Sequence, residues 1–421
     1  MGHSPTVTIW IEDVQTGAVC THAVFDPCGV LLLGQATEIT QEIIDGLIGR
    51  GIDRVEVDPR DAEALGIGRT DQPSPPTRKP TASTGKPPRL PTGKPLKDRL
   101  VDRFDEPLDL GRQAELKQGY ADASDQLDEL RDAITRKKLQ TVEAVDDLTR
   151  RFADFLIRDH DQTVGAFGGA QASCELAERC VKLASVGMAV GVEMGLDGLA
   201  VTQLGTAGLL HDVGLFSMDD KFHVVGPELT EDERWAYQKH PIVSQQCLTE
   251  VGEIPNQVRI AIEQVHEQYN GDGYPRGLEG KRIHPYARIL NVVDAYLQLI
   301  LPTSRRPGVM PHDAIGVLLH QARHGLFEPQ VVRAFLLTET LFPLGSNVEL
   351  SDGTVAKVIR RPRDGYATPV LQTESGDRVD LCESPLRITR PALSGEAEQI
   401  RVTQEMMGSM QWEPIRPVTA D

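Results

Sequence analysis

His211 and Asp212 close an apolar run, Gly205 to Leu210, and His240, His266 and Asp294 follow on what read as three further helices. Imidazoles and carboxylates that converge from separate helices are the ligands metal-assisted phosphodiester hydrolysis requires, with at least one carboxylate placed to bridge two ions. A helix that stops at the His-Asp pair frees both side chains to point at one centre. Downstream, Gly273-Tyr274-Pro275 offers a backbone that can approach a ligand or partner closely, a proline that stiffens the turn, and an aromatic face. A His-Asp dipeptide or a Gly-Tyr-Pro turn alone is common; their order and spacing carry the reading. His160, His223, His284, His312, His320 and His324 lie outside this pattern and read as surface or packing residues. His223 and Asp220, in the loop after the His-Asp pair, are the alternative source of a ligand.

The elements that must hold these residues are mainly α-helical. Thr230 and Glu233 form a capping box before a helix carrying Trp235 and His240, Pro255 opens the helix leading to His266, and Gly325 follows one ending near His324. Residues 165–342 therefore read as an all-helical core. Ahead of it, 99–164 is a helical segment with Leu127, Leu130, Ile134, Leu148, Phe152 and Phe155 at helical spacings. That leaves two readings open, a coiled coil that joins two chains as a homodimer and helices packed on the next domain, because the heptad is not sustained. Residues 1–68 mix β-like runs (Val7 to Ile11, Val30 to Leu33, Val55 to Val57) with a helix over Ile39 to Ile48, a small α/β module. Residues 69–98, dense in Pro, Thr, Ser, Lys and Arg, bury too little apolar surface to order themselves and read as a linker. Short strands over 343–394, separated by Ser351-Asp352-Gly353 and a second Gly-Asp turn, read as a small β-barrel, and 395–421 as a tail.

Composition bounds the partners. The 421 residues carry a formal net charge of −18, which opposes broad binding to nucleic acid or anionic lipid. The cysteines Cys20, Cys28, Cys174, Cys180, Cys247 and Cys382 form no C-x-x-C pair, so neither a zinc knuckle nor a disulfide framework is expected, and a reducing cytoplasm is the simplest location. No run is long enough for a membrane span, and the N-terminus lacks the basic and apolar regions of a signal peptide. Met1-Gly2 with Thr6 fits the loose myristoylation pattern, which fixes too few positions to carry weight.

From His211-Asp212-Val213-Gly214, through Leu229-Thr230-Glu231, His240-Pro241 and the run His266-Glu267-Gln268-Tyr269-Asn270-Gly271-Asp272-Gly273-Tyr274-Pro275-Arg276-Gly277-Leu278, to Ala287-Arg288-Ile289 and Asp294-Ala295-Tyr296, the chain resembles the HD-GYP family. These are cyclic di-GMP phosphodiesterases of the HD superfamily, and the likeness covers about 165 to 340. It implies an HD-domain fold and a centre of divalent metal ions, iron, manganese or another, held by Glu175, His211, Asp212, His240, His266 and Asp294, with Asp212 the catalytic carboxylate. It also implies cyclic di-GMP or a related nucleotide as substrate and a diguanylate cyclase domain as partner. Gly273, Tyr274 and Pro275 would lie at the substrate entrance or partner surface, with Arg288 and Arg306 on phosphates, the latter in an Arg-Pro pair with Pro307.

Three positions depart from the family pattern: Arg179 stands for a ligand histidine, Val265 for the first of a His-His pair, and Leu215 for a lysine. Arg179 cannot ligate a metal, but its guanidinium can satisfy buried carboxylates bidentately. We expect it to supply Asp212 and Asp294 with the positive charge an ion would supply, lying within about 6 Å of both, the range of useful pairing. Two functions follow: a hydrolase with a degenerate centre, and a catalytically silent module that binds nucleotide or a cyclase. An HD phosphohydrolase acting on another nucleotide is the third.

Overall fold

A computed structural model describes residues 6–25, 31–49, 54–62, 64–65, 90, 93–135, 143–166, 175–224, 227–249, 254–303, 306–393 and 398–402. Most of the Pro-rich stretch, Met1-Gly2, Cys28, Cys174 and the chain beyond 402 lie outside these residues. Among the described residues, no helix is long and apolar enough to cross a membrane.

In the N-terminal module, strands Val7–Trp10, Arg54–Val57, Val24–Phe25 and Leu31–Leu33 form one sheet in that order. The period of two shows in Val55 and Val57, both buried on one side of their strand. The helix Gln41–Gly49 starts later than its apolar pattern because Thr37–Glu38 pairs with Val19–Cys20 instead. Its Ile44 and Leu47 complete a core that also takes in Trp235, so the module is seated on the helical domain through that indole.

The helical domain is organised around Leu176–Glu193, buried almost throughout and packed with Gly198–Leu210, Pro285–Ile300 and Pro329–Glu339. Leu110–Thr135 and Glu143–Arg158 join the same core through Leu116, Leu127, Leu148, Phe152 and Phe155. The capping box at Thr230 and Glu233 forms as expected. The helix it opens stops at Gln238, however, and a new one runs His240–Thr249. Pro241 explains the break, since a proline lacks the N–H a continuing helix needs and fits the first turn of a new one.

Strands Asn347–Leu350, Val355–Arg360, Val370–Thr373 and Arg378–Asp380 fall where expected, joined by Ile388–Ala392. They form a five-stranded sheet with Arg378–Asp380 and Ile388–Ala392 at its two edges, so the pairing does not close a barrel. Val348, Leu350, Ala356, Val358 and Leu371 belong to the helical core, so the sheet buries its apolar face against helices rather than against itself. A fully buried Arg360 completes the joint by donating to both oxygens of Asp159, at 2.7 and 3.2 Å. Farther on, Gln399–Ile400 pairs in parallel with Gly308–Val309.

Glu339, buried at the end of its helix, is pushed up to about 8 by burial. Its ordinary value is 4.5, so between the two the unfolded chain has released a proton that the folded chain keeps. Stability from this group is present in full below the lower value and is lost as pH rises to the upper one. Urea unfolding at pH 5 and pH 8 should therefore differ less for Glu339→Gln than for the unsubstituted protein; equal differences would refute this origin.

Candidate metal centre

Each side chain of the centre is aimed by its own local device. His211 follows the last residue of Gly198–Leu210 and donates from Nδ1 to Gly208 O at 2.9 Å, which turns Nε2 inward. Gly214, two residues after Asp212, admits no side chain: a Cβ there would lie 2.4 Å from Ser244 N and 2.7 Å from His240 O. In that space Gly214 N donates to Ser244 Oγ, which donates to His211 O, both at 2.8 Å, locking the His240 helix against the His-Asp turn. His240 donates from Nδ1 to Tyr237 O at 2.7 Å, so its Nε2 also faces the centre. Asp294 projects from Pro285–Ile300 and accepts from Gln298 Nε2, one turn on, at 2.6 Å.

His266 lies just beyond Asn256–Gln264 rather than inside it. The Gly-Tyr-Pro turn folds back over it: Tyr274 N donates to His266 O, and the two rings stack at 5.1 Å and 8°. A Cβ on Gly273 would fall 2.1 Å from Gln268 N, so only glycine allows this return. Glu267 holds the loop by accepting from the backbone of Arg276 (2.7 Å) and Leu278 (2.8 Å). Burial pushes its carboxyl up to about 7 against those two donors. Gly273, Tyr274 and Pro275 are all buried, so Tyr274 offers its face to His266, and Asp272 and Arg276 flank the turn as its exposed residues.

At the middle sits Asp212, with no exposed surface. Its Oδ2 meets Arg179 Nη2 at 2.5 Å and His211 Nε2 at 3.0 Å. Its Oδ1 lies 3.1 Å from His240 Nε2 and 3.7 Å from His266 Nε2. Arg179 also stands 3.6 Å from Asp294 Oδ1, and His266 Nδ1 3.7 Å from Asp294 Oδ2. The expected bridging of two carboxylates by Arg179 is thus present, with its side chain 2% exposed.

Burial alone would raise the Asp212 carboxyl, but the charges of His211 and Arg179 outweigh it and hold the group well below the usual carboxylate range. His211 is the converse: burial would lower it, yet Asp212 keeps it well above the ordinary imidazole value. An ion bound at His211 must displace that proton. His240 is driven down to about 4, burial overcoming the pull of Asp212. It is therefore neutral, and with Nδ1 committed to Tyr237 it presents a lone pair at Nε2; His266, 2.9 Å away, donates to it.

This arrangement fits a divalent ion. Ligand atoms of Asp212, His240 and His266 lie within 4.8 Å of one another, all buried. Asp212 Oδ1 and Asp294 Oδ1 accept no hydrogen bond, a costly state for buried acceptors. His240 Nε2 and Asp212 Oδ1 lie 3.1 Å apart and face the same space, with His266 Nε2 at 2.9 and 3.7 Å from them, so one cation could take all three. A second group of the same span is Cys180, His211 and Asp212. Cys180 is not apparent from the sequence because a lone cysteine carries no spacing signal; its place beside Arg179, one turn into a helix facing the His-Asp pair, is the only hint.

The other candidate residues fall elsewhere. Glu175 is exposed at the N-cap of the Arg179 helix. Leu215 and Val265 are fully buried in the hydrophobic core. Arg288 pairs with Glu328 at 2.5 Å. Arg306 donates to the carbonyls of Gln298, Leu299 and Pro307, closing the C-terminal end of the Asp294 helix. His223 donates to Leu215 O at 2.7 Å and stays outside the cluster.

Removing Arg179 leaves Asp212 and Asp294 buried without their cation. Arg179→Ala should lower stability by about 3–5 kcal/mol in urea unfolding of chelator-treated protein, and Arg179→Lys by less; a change within error for the alanine variant would contradict the ion-pair account.

Residues 170–331 match the family model described as HD domain. A cyclic di-GMP phosphodiesterase of Pseudomonas aeruginosa, PA4108, is 30% identical over 190 residues, covering 45% of each chain. The cyclic di-GMP phosphodiesterase PdeB of Borreliella burgdorferi is 27% identical over 42% of this chain and 47% of its own. The response regulator RpfG of Xanthomonas campestris, also named a cyclic di-GMP phosphodiesterase, is 33% identical over 37% of this chain and 41% of its own. The chain spans about half the length of these relatives. With His211-Asp212, His240, His266 and Asp294 gathered beneath a Gly-Tyr-Pro turn, the matched stretch is an HD-GYP-like HD domain.

Proposed function

We propose that this chain is a signalling hydrolase that cleaves a cyclic dinucleotide, cyclic di-GMP, by metal-dependent phosphodiester hydrolysis in the cytoplasm. The observation that carries this reading is the convergence of Asp212, His240 and His266 on one buried point with a carboxylate oxygen that accepts no hydrogen bond. Bound there, iron or manganese would supply a Lewis acid and lower the pKa of a coordinated water. The protein's own part is to hold His240 neutral with its Nε2 inward, to keep Asp212 ionised, and to exclude bulk water with Tyr274 stacked over His266. Substrate phosphates would approach past this turn, which has to open for them.

One observation favours a second reading, a silent module that binds nucleotide or a diguanylate cyclase domain: Arg179 already neutralises the carboxylates, and apolar Leu215 and Val265 pack in the core. A cyclase, or a second copy of the chain, would then meet the exposed Asp272 and Arg276 beside the buried turn.

The test is the metal content of the purified protein together with turnover of cyclic di-GMP, and of other nucleotides, with added Mn²⁺ or Fe²⁺. We expect ion-dependent cleavage to linear product that Asp212→Ala abolishes. Protein that binds no ion and turns over nothing with either would overturn the hydrolase in favour of the silent module.

A further inference from the structure

We infer that this centre takes a single divalent ion, on the Oδ1 side of Asp212 with His240 and His266, and that Arg179 fills the Oδ2 side as the positive charge of a second ion. The inference rests on the metal-dependent reading above and adds the number of ions and their side. The two oxygens of Asp212 are used differently. Oδ2 is engaged by Arg179 at 2.5 Å and His211 at 3.0 Å, whereas Oδ1 has no hydrogen-bond partner and faces Nε2 of His240 at 3.1 Å and of His266 at 3.7 Å. The same guanidinium reaches Asp294 at 3.6 Å, so the two carboxylates that a pair of ions would share are already bridged. A guanidinium keeps its proton at any working pH and offers no lone pair, so it neither ligates nor yields its charge. It is also buried on the central helix of the domain, which leaves it no solvent-filled space to swing into. The group Cys180, His211 and Asp212 has the span of a metal site but lies on this occupied side; an ion there would sit against a fixed cation.

The position of Cys180 makes the two sides spectroscopically distinct. A cobalt ion held by thiolate shows an intense near-ultraviolet sulfur-to-metal charge-transfer band, and one held by imidazole and carboxylate does not. The full chain, stripped with chelator, loaded with Co²⁺ and dialysed, should retain one cobalt per chain without that band. Its spectrum should be unchanged in Cys180→Ser, and the ion should be lost from His266→Ala with circular dichroism preserved. Arg179→His should raise the content to two; if that variant does not fold, stoichiometry and the Cys180→Ser spectrum decide alone. Two cobalt ions per unsubstituted chain, a charge-transfer band that disappears in Cys180→Ser, or no cobalt retained by folded protein would each overturn the proposal. One ion without cleavage of cyclic di-GMP would remove the hydrolase reading and leave this one standing; two ions with cleavage would do the reverse.

Discussion

The ionised carboxylate of Asp212, shut away from solvent, is the constraint on which the rest of the centre depends. A charge in that position is tolerated only when partners surround it closely. Arg179 and His211 meet one oxygen, and His240 and His266 crowd the other. Each partner arrives from a different segment, so the packing of those segments is read out as distances at one atom pair. Arg179 is unusual in this company because it compensates charge without offering a lone pair. Its guanidinium takes one oxygen of Asp212 and reaches Asp294 as well, so one face of the carboxylate is already engaged.

Close backbone approach makes this convergence work. Gly214 and Gly273 each stand where a single carbon would collide with backbone. The first brings Ser244 and His240 onto the His-Asp turn, and the second brings Tyr274 back over His266. Tyr274 then covers the imidazole of His266, and Glu267 ties down the loop that carries it. The same turn that identifies the domain in the primary sequence is thus part of the wall of the centre, with its exposed flanks at Asp272 and Arg276.

The two flanking modules join the helical domain by different chemistry. The N-terminal sheet receives Trp235, whose short helix also carries Tyr237, the backbone acceptor that orients His240. An apolar contact with the module and the aim of a centre histidine therefore share a few residues of helix. The C-terminal sheet docks through aliphatic side chains and the Arg360–Asp159 pair, and Asp159 caps the helix His160–Gly165. Because its apolar face is spent on the helices, that sheet has no need to close on itself.

Much of this was legible in the chain alone. Helical periodicity, the Thr230 and Glu233 box and the strand alternation after Pro343 follow from local side-chain patterns, which the backbone obeys within a few residues. The side chains of His211, Asp212, His240, His266 and Asp294 stand out by type and order, and Arg179, at a position where the family resemblance implies a histidine, was enough to foresee an internal cation. What pattern alone does not carry is anything set by contacts between distant segments. The break before His240, the open rather than closed C-terminal sheet, the inward turn of Tyr274, the proximity of Cys180 and the unequal use of the two Asp212 oxygens all belong to that class. Residue types and spacing determined which chemistry was available; only tertiary packing decided which atoms face one another, because burial and charge compensation act through space and not along the chain.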